Sequence, residues 1–140
     1  MSSFITKKYL NDLTYEIIGA AIEVHKELGP GLLESVYHRC LFYELNLRGI
    51  NFQSELIVPI EYKNLEFDAQ LRCDFFVENS IVVELKAVQE ILPIHEAQLI
   101  SYMKLLKVPK GILINFNVTH LFKEGQKTYV NELFRNLPEH

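Results

Sequence analysis

Ile81-Val82-Val83-Glu84-Leu85-Lys86-Ala87 is the most apolar short run in the chain, yet two opposite charges interrupt it. A nearly continuous apolar run of this length, free of Gly and Pro, predicts a strand at the centre of a sheet, buried on both faces. Alternation places Val82, Glu84 and Lys86 on one face and Ile81, Val83 and Leu85 on the other. A charge inside a sheet loses much of its solvation unless something replaces it. The run therefore fixes the middle of the fold and marks Glu84 and Lys86 as residues that need a reason.

Upstream, Glu78-Asn79-Ser80 predicts a turn, before which Phe67, Ala69, Leu71, Cys73 and Phe75 alternate with Asp68, Gln70, Arg72 and Asp74. Lys63-Asn64 is a further turn, preceded by a run in which Phe52, Leu56, Val58, Ile60 and Tyr62 alternate with Gln53, Glu55, Ile57 and Glu61. Near the N-terminus the period is helical: Leu10, Leu13, Ile17, Ala20, Ala21, Val24 and Leu28 recur at three and four residues. Asn11 or Asp12 is the expected cap, and Gly29-Pro30-Gly31 the stop. Leu33, Val36, Tyr37, Cys40, Leu41 and Leu45 form the stripe of a second helix ending at Gly49. Downstream, Pro93 opens a third helix running to about Lys107, and Gly111 to Phe116 is a second buried strand. The tail from Asn117 to His140 alternates weakly and suits another strand and a terminal helix. The order ααβββαβ predicts an α/β domain with a mixed central sheet flanked by helices. No repeat or linker divides residues 1–140, so one domain is expected.

The chain has 140 residues, 49% of them hydrophobic and 23% charged, which excludes disordered, collagenous and coiled-coil classes. No apolar run is long enough for a membrane span, and Met1-Ser2-Ser3-Phe4-Ile5-Thr6-Lys7-Lys8 lacks the apolar core of a signal peptide, so a cytoplasmic setting without a membrane partner is expected. Cys40 and Cys73 stand apart in apolar surroundings and read as buried free thiols. The net charge is −4, so a nucleic-acid partner has no basic footprint to hold it. A divalent cation at a carboxylate site would answer that difficulty, because it inverts the local charge.

If the two strands flanking the Glu78 turn pair, Asp74 and Glu84 converge. Two carboxylates and the backbone carbonyl of Leu85 offer the hard oxygen ligands that Mg2+ (or Mn2+) takes. Lys86 on the same face could position a water or offset developing charge, which together suit metal-dependent phosphodiester hydrolysis. The competing reading is a structural ion-pair network of Asp74, Arg72, Glu84 and Lys86, and spacing alone does not separate the two. Gln98 and Tyr102, four apart, share one face of the third helix.

Asp74, Glu84-x-Lys86 and Gln98-x-x-x-Tyr102 together resemble the PD-(D/E)XK nuclease superfamily. Within it, His25-x-x-Leu28-Gly29-Pro30, Gly31-x-x-Glu34-x-x-Tyr37, Val83 to Ala87, His95-x-Ala97-Gln98-Leu99 and Asn115-Phe116 resemble the GxxExxY family of small prokaryotic proteins. The resemblance runs from about Tyr15 to Phe116. It implies a restriction-endonuclease-like core, with the site where the central strands diverge. It further implies that Glu34 joins Asp74 and Glu84 in the metal shell, that Gln98 orients Lys86 or a metal-bound water, and that Tyr102 contacts substrate or braces the site. The proline of the superfamily's name is absent, and Cys73 stands before Asp74.

His25 and His95 are candidate supporting or substrate-binding residues, set against helix-end roles for both. His38 lies one turn after Glu34 and could bond its carboxylate, but reads first as a helix-surface residue, and Tyr37 reads as core, with its hydroxyl on Glu34 or the next strand. Lys7, Lys8, Arg39, Arg48, Lys104, Lys107, Lys110, Lys123 and Lys127 are dispersed and read singly as solvated charge. Leu121, Phe122 and Phe134 would suit burial against a second copy, so a homodimer is an expectation. No Cys–His spacing suits zinc, Ser35, Ser54, Ser80 and Ser101 lack a nucleophile elbow, and Gly29-x-Gly31 follows a helix rather than a strand. Two functions follow: a metal-dependent nuclease acting on DNA or RNA, and a catalytically silent module of the same fold that binds nucleic acid or protein.

Overall fold

The computed structural model describes residues 5–140, so the reading of Met1 to Phe4 lies outside the described residues. Helices α1 (Lys7–Leu28) and α2 (Glu34–Leu47) come first. Thr6, rather than Asn11 or Asp12, caps α1: its Oγ1 accepts from the Tyr9 N–H at 3.0 Å. Asn11 lies inside the helix, where its Oδ1 accepts from Lys110 Nζ at 2.8 Å.

Strands β1 (Phe52–Ile57), β2 (Ile60–Tyr62), β3 (Leu65–Phe67), β4 (Arg72–Val77) and β5 (Ile81–Lys86) follow. The two alternating runs expected as single strands each break in two. Pro59 lacks the N–H that would continue β1, and Gln70 adopts φ 65° between β3 and β4. The pieces β2 and β3 pair into a separate two-stranded arm. Helix α3 (Pro93–Leu106), β6 (Lys110–Asn115), a π-turn at Leu121–Gly125, β7 (Gln126–Val130) and α4 (Glu132–Arg135) complete the chain.

The main sheet has the order β1-β4-β5-β6-β7, with β5 at its centre and only β5·β6 parallel. It is a mixed five-stranded sheet with flanking helices, as the run Ile81 to Ala87 implied. Every residue of β5 before Lys86 is buried, and so is every residue of β6. One face, carrying Phe75, Val77, Ile81, Val83, Leu85, Ile112 and Ile114, packs on α1 and α2. The other, carrying Phe76, Val82 and Leu113, packs on Leu99, Tyr102 and Met103 of α3.

Two surface expectations fail. Leu121 is buried and Phe134 packs against the α1/α2 core, so of the three tail residues named Phe122 alone is exposed. Lys110 is not solvated charge: it is buried, donates to Asn11, and lies 5.3 Å from the centre of the Phe134 ring. Burial lowers its pKa.

Candidate active site

The β4–β5 hairpin turns through Glu78 and Asn79, both at positive φ, with the Ser80 N–H donating to the Val77 carbonyl at 2.9 Å. This tight turn sets the register Phe75↔Val83, Phe76↔Val82 and Val77↔Ile81. One step further the same register sets Asp74 opposite Glu84, but there the backbone ladder stops. The side chains replace it: the Asp74 N–H donates to Glu84 Oε2 at 2.8 Å, and the Leu85 N–H donates to Asp74 Oδ2 at 2.7 Å. Each carboxylate thus holds the opposite strand at the point where the strands part.

Each acid spends one oxygen on this clasp. Asp74 Oδ1 and Glu84 Oε1 accept no hydrogen bond from the described residues, and no buried side-chain polar atom among those residues lacks a partner. These two oxygens therefore face solvent. Burial, followed by the Asp74 charge, pushes the Glu84 carboxyl up to about 8, against the opposing effects of the Asp74 N–H and Lys86. Burial also raises Asp74, with the Leu85 N–H, His38 and Lys86 pulling the other way. Glu34, at the start of α2, is raised by burial and then by the Asp74 charge, while Lys86 and His38 lower it. Glu34, Asp74, Glu84 and Lys86 accordingly lie within one another's fields.

The ion-pair network weighed from sequence does not form. Arg72 pairs with Asp68 at 3.4 Å, and among the described residues no salt bridge within 4.0 Å includes Asp74, Glu84 or Lys86. From α3, Gln98 Nε2 donates to the Tyr102 hydroxyl at 3.3 Å. Tyr102 is buried; its pKa is raised first by that burial and then by the charges of Glu84, Cys73 and Asp74. Gln98 and Tyr102 therefore approach the acids from the α3 face, while Glu34 stands on the α2 side.

The histidines are sorted differently from expectation. His38 is half-buried on β4, stacked on Phe75 with ring centres 4.4 Å apart. Its Nε2 lies 3.4 Å from the Asp74 carbonyl and 3.3 Å from Ser54 Oγ, so it is a site neighbour rather than a surface residue. The signal was available in the four-residue spacing from Glu34. His25 is buried with Nε2 2.8 Å from the Val118 carbonyl, and His95 Nδ1 accepts the Leu92 N–H at 2.9 Å at the start of α3. Both have backbone-bracing contacts. Tyr37 is core, stacked on Phe116 at 4.5 Å, but its hydroxyl holds neither Glu34 nor a strand. It donates to the Gly29 carbonyl at 2.6 Å and accepts the Leu32 N–H at 3.1 Å, fixing the loop that leads to Glu34. Cys73 and Cys40 are free thiols; Cys73 is buried, which pushes its pKa up, and Cys40 is half-buried.

The donor chemistry fits a hard divalent cation: each of two interacting carboxylates keeps one oxygen free of hydrogen bonds, and a cation would relieve their mutual repulsion. Among the described residues no three His, Cys, Asp or Glu side chains group as ligands, so Glu34, Asp74 and Glu84 do not form a ready three-ligand set in this arrangement. Water or a phosphate oxygen would fill the other positions, as Mg2+ commonly requires.

A mixed sheet flanked by helices, with an acid pair where its central strands part and a lysine two residues on, defines a restriction-endonuclease-like fold. A family model of the PD-(D/E)XK nuclease superfamily matches residues 11–128, and the chain belongs to that superfamily. Nuclease-type function follows at the level of the superfamily, whose nucleases typically use divalent metals. Searches of curated proteins and of solved structures gave no match. No helix among the described residues is long and apolar enough to cross a membrane.

Proposed function

We propose that the chain is a metal-dependent nuclease of the GxxExxY type that hydrolyses phosphodiester bonds in DNA, with RNA as the second candidate substrate. The observation that carries the reading is the reciprocal clasp of Asp74 and Glu84, which leaves one oxygen of each free of hydrogen bonds, with both acids in the field of Lys86. When bound, Mg2+ or Mn2+ would lower the pKa of a water and offset charge on the phosphate. Asp74 and Glu84 would hold that ion, with Glu34 reaching it through water. Lys86 would orient the attacking water or meet the developing negative charge. Gln98 fixes the Tyr102 hydroxyl, which borders the acids and would meet substrate or brace Glu84. His25 and His95 have no part in this reading, because one ring nitrogen of each, His25 Nε2 and His95 Nδ1, is engaged with backbone. A reducing cytoplasm suits the two free thiols.

A catalytically silent module remains the second reading. It is favoured by the net charge of −4 and by a clasp that already occupies one oxygen of each acid. Incubation of the wild type, Glu84→Ala and Lys86→Ala with Mn2+ on single- and double-stranded DNA and on RNA separates the two. The nuclease reading expects cleavage by the wild type, reduced at least about a hundredfold in either variant. Cleavage by none of the three favours the module, and equal cleavage by all three overturns the roles given to Glu84 and Lys86. Self-association is a further part of the proposal, because β1 and β7 are free sheet edges; sedimentation velocity tests it.

A further inference from the structure

We propose that Asn115 is a positioning residue for Lys86, an inference that rests on the nuclease reading. The parallel ladder between β5 and β6 ends at Lys86↔Asn115, where the Phe116 N–H donates to the Lys86 carbonyl at 2.9 Å. Beyond it the chain leaves the sheet, and the Asn115 carboxamide takes over the pairing. Its Oδ1 accepts the Val88 N–H at 3.0 Å and its Nδ2 donates to the Val88 carbonyl at 2.9 Å. Both backbone groups of one residue are thus held by one planar side chain, as a neighbouring strand would hold them. Oδ1 also accepts the Asn117 N–H at 3.2 Å.

The side chain cannot easily shift. Asn115 is 3% exposed. Across the sheet, Gly125 presses on its backbone so closely that a Cβ there would lie 2.5 Å from the Asn115 carbonyl oxygen. Lys86 is therefore pinned on both sides, by the ladder through its own carbonyl and by the clamp two residues later. Its side chain has no salt-bridge partner among the described residues to aim it, so the backbone sets its direction toward Asp74 and Glu84. The same clamp anchors the segment leading into α3, which carries Gln98 and Tyr102.

Three measurements on Asn115→Leu, of similar volume, and Asn115→Asp, which keeps the acceptor, test this. Mass-spectrometric acylation kinetics should show a several-fold change in labelling of Lys86, with Lys104, Lys107 and Lys127 unchanged, and a smaller change for Asn115→Asp. Hydrogen exchange should show the Val88 amide losing protection. On a cleaved substrate, Asn115→Leu should lower kcat about a hundredfold at unchanged KM, and cost no more than about twofold in a Lys86→Ala background. An unchanged Lys86 labelling rate with the Val88 amide exposed overturns the proposal whatever the chain cleaves. An equal kcat loss in both backgrounds overturns it as well, because the effect would not pass through Lys86. Wild-type cleavage by Lys86→Ala overturns the nuclease reading instead, while the labelling result still decides the clamp.

Discussion

Asp74 and Glu84 each hold the backbone of the other's strand, through the Asp74 N–H to Glu84 Oε2 at 2.8 Å and the Leu85 N–H to Asp74 Oδ2 at 2.7 Å. The exchange ends the β4–β5 ladder without leaving those N–H groups unpaired, so the strands can part at no cost in buried donors. It also brings two acids together where burial resists their ionisation. Such an arrangement is costly for the metal-free protein at neutral pH, and a bound cation would relieve it.

The first prediction follows from the sign of that shift. The Glu84 carboxyl is raised from an ordinary 4.5 to about 8, so the folded state binds more protons than the unfolded state across that interval. Stability must then fall as pH rises from about 4.5 to about 8. Thermal unfolding in EDTA should show this decline. Glu84→Gln, which keeps the acceptor for the Asp74 N–H, should flatten it and raise Tm near pH 8 by roughly 4–8 °C. A Glu84→Gln protein less stable than wild type at pH 8 would show that the carboxylate is needed for folding.

Divalent cation should restore what ionisation removes. Mn2+ at about a hundredfold over its Kd stabilises a single site by about 2.7 kcal/mol. The Tm increase should be large near pH 8, small near pH 5, and absent in Asp74→Asn and Glu84→Gln. A similar increase in those variants would place the ion elsewhere.

Tyr37→Phe keeps the stack on Phe116 but removes the hydroxyl that joins Gly29 to Leu32. Denaturant unfolding should show a loss of about 1–2 kcal/mol. Because that loop precedes Glu34, its amide exchange should rise while that of β5 does not.

Gly125→Ala should be the more damaging of two conservative changes. Its Cβ would meet the Asn115 carbonyl at 2.5 Å and Val118 Cγ2 at 2.9 Å, and backbone cannot swing aside as a side chain can. A loss of at least about 2–3 kcal/mol is expected by chemical denaturation. In contrast, Lys110→Met should be neutral or stabilising, because it removes a buried charge that, among the described residues, only Asn11 and the Phe134 ring accommodate.

The centre of the fold was legible because β5 and β6 are buried on both faces, and only a continuous apolar run can fill such a position. The convergence of Asp74 and Glu84 was legible for a related reason: a short turn between two strands fixes register, and register fixes which residues oppose. The arm of β2 and β3 was not, because its residues keep the two-residue alternation of their neighbours and only Pro59 and the backbone at Gln70 show where the sheet ends. Leu121 and Phe134 misled for a similar reason. A π-turn and a four-residue helix have too little periodicity to show which side faces inward. The direction of the His38 ring and the reach of Asn115 to Val88 depend on how α2 and the segment after β5 lie on the sheet. Those placements are tertiary, and no local pattern carries them.

The most direct test of the central claim is a calorimetric titration of Mn2+ into the metal-free wild type and Glu84→Ala at pH 8. The open oxygens of Asp74 and Glu84 predict saturable binding near one ion per chain in the wild type, lost in the variant. No heat at millimolar Mn2+ in the wild type, together with a variant less stable than the wild type, would contradict it and leave the clasp as architecture.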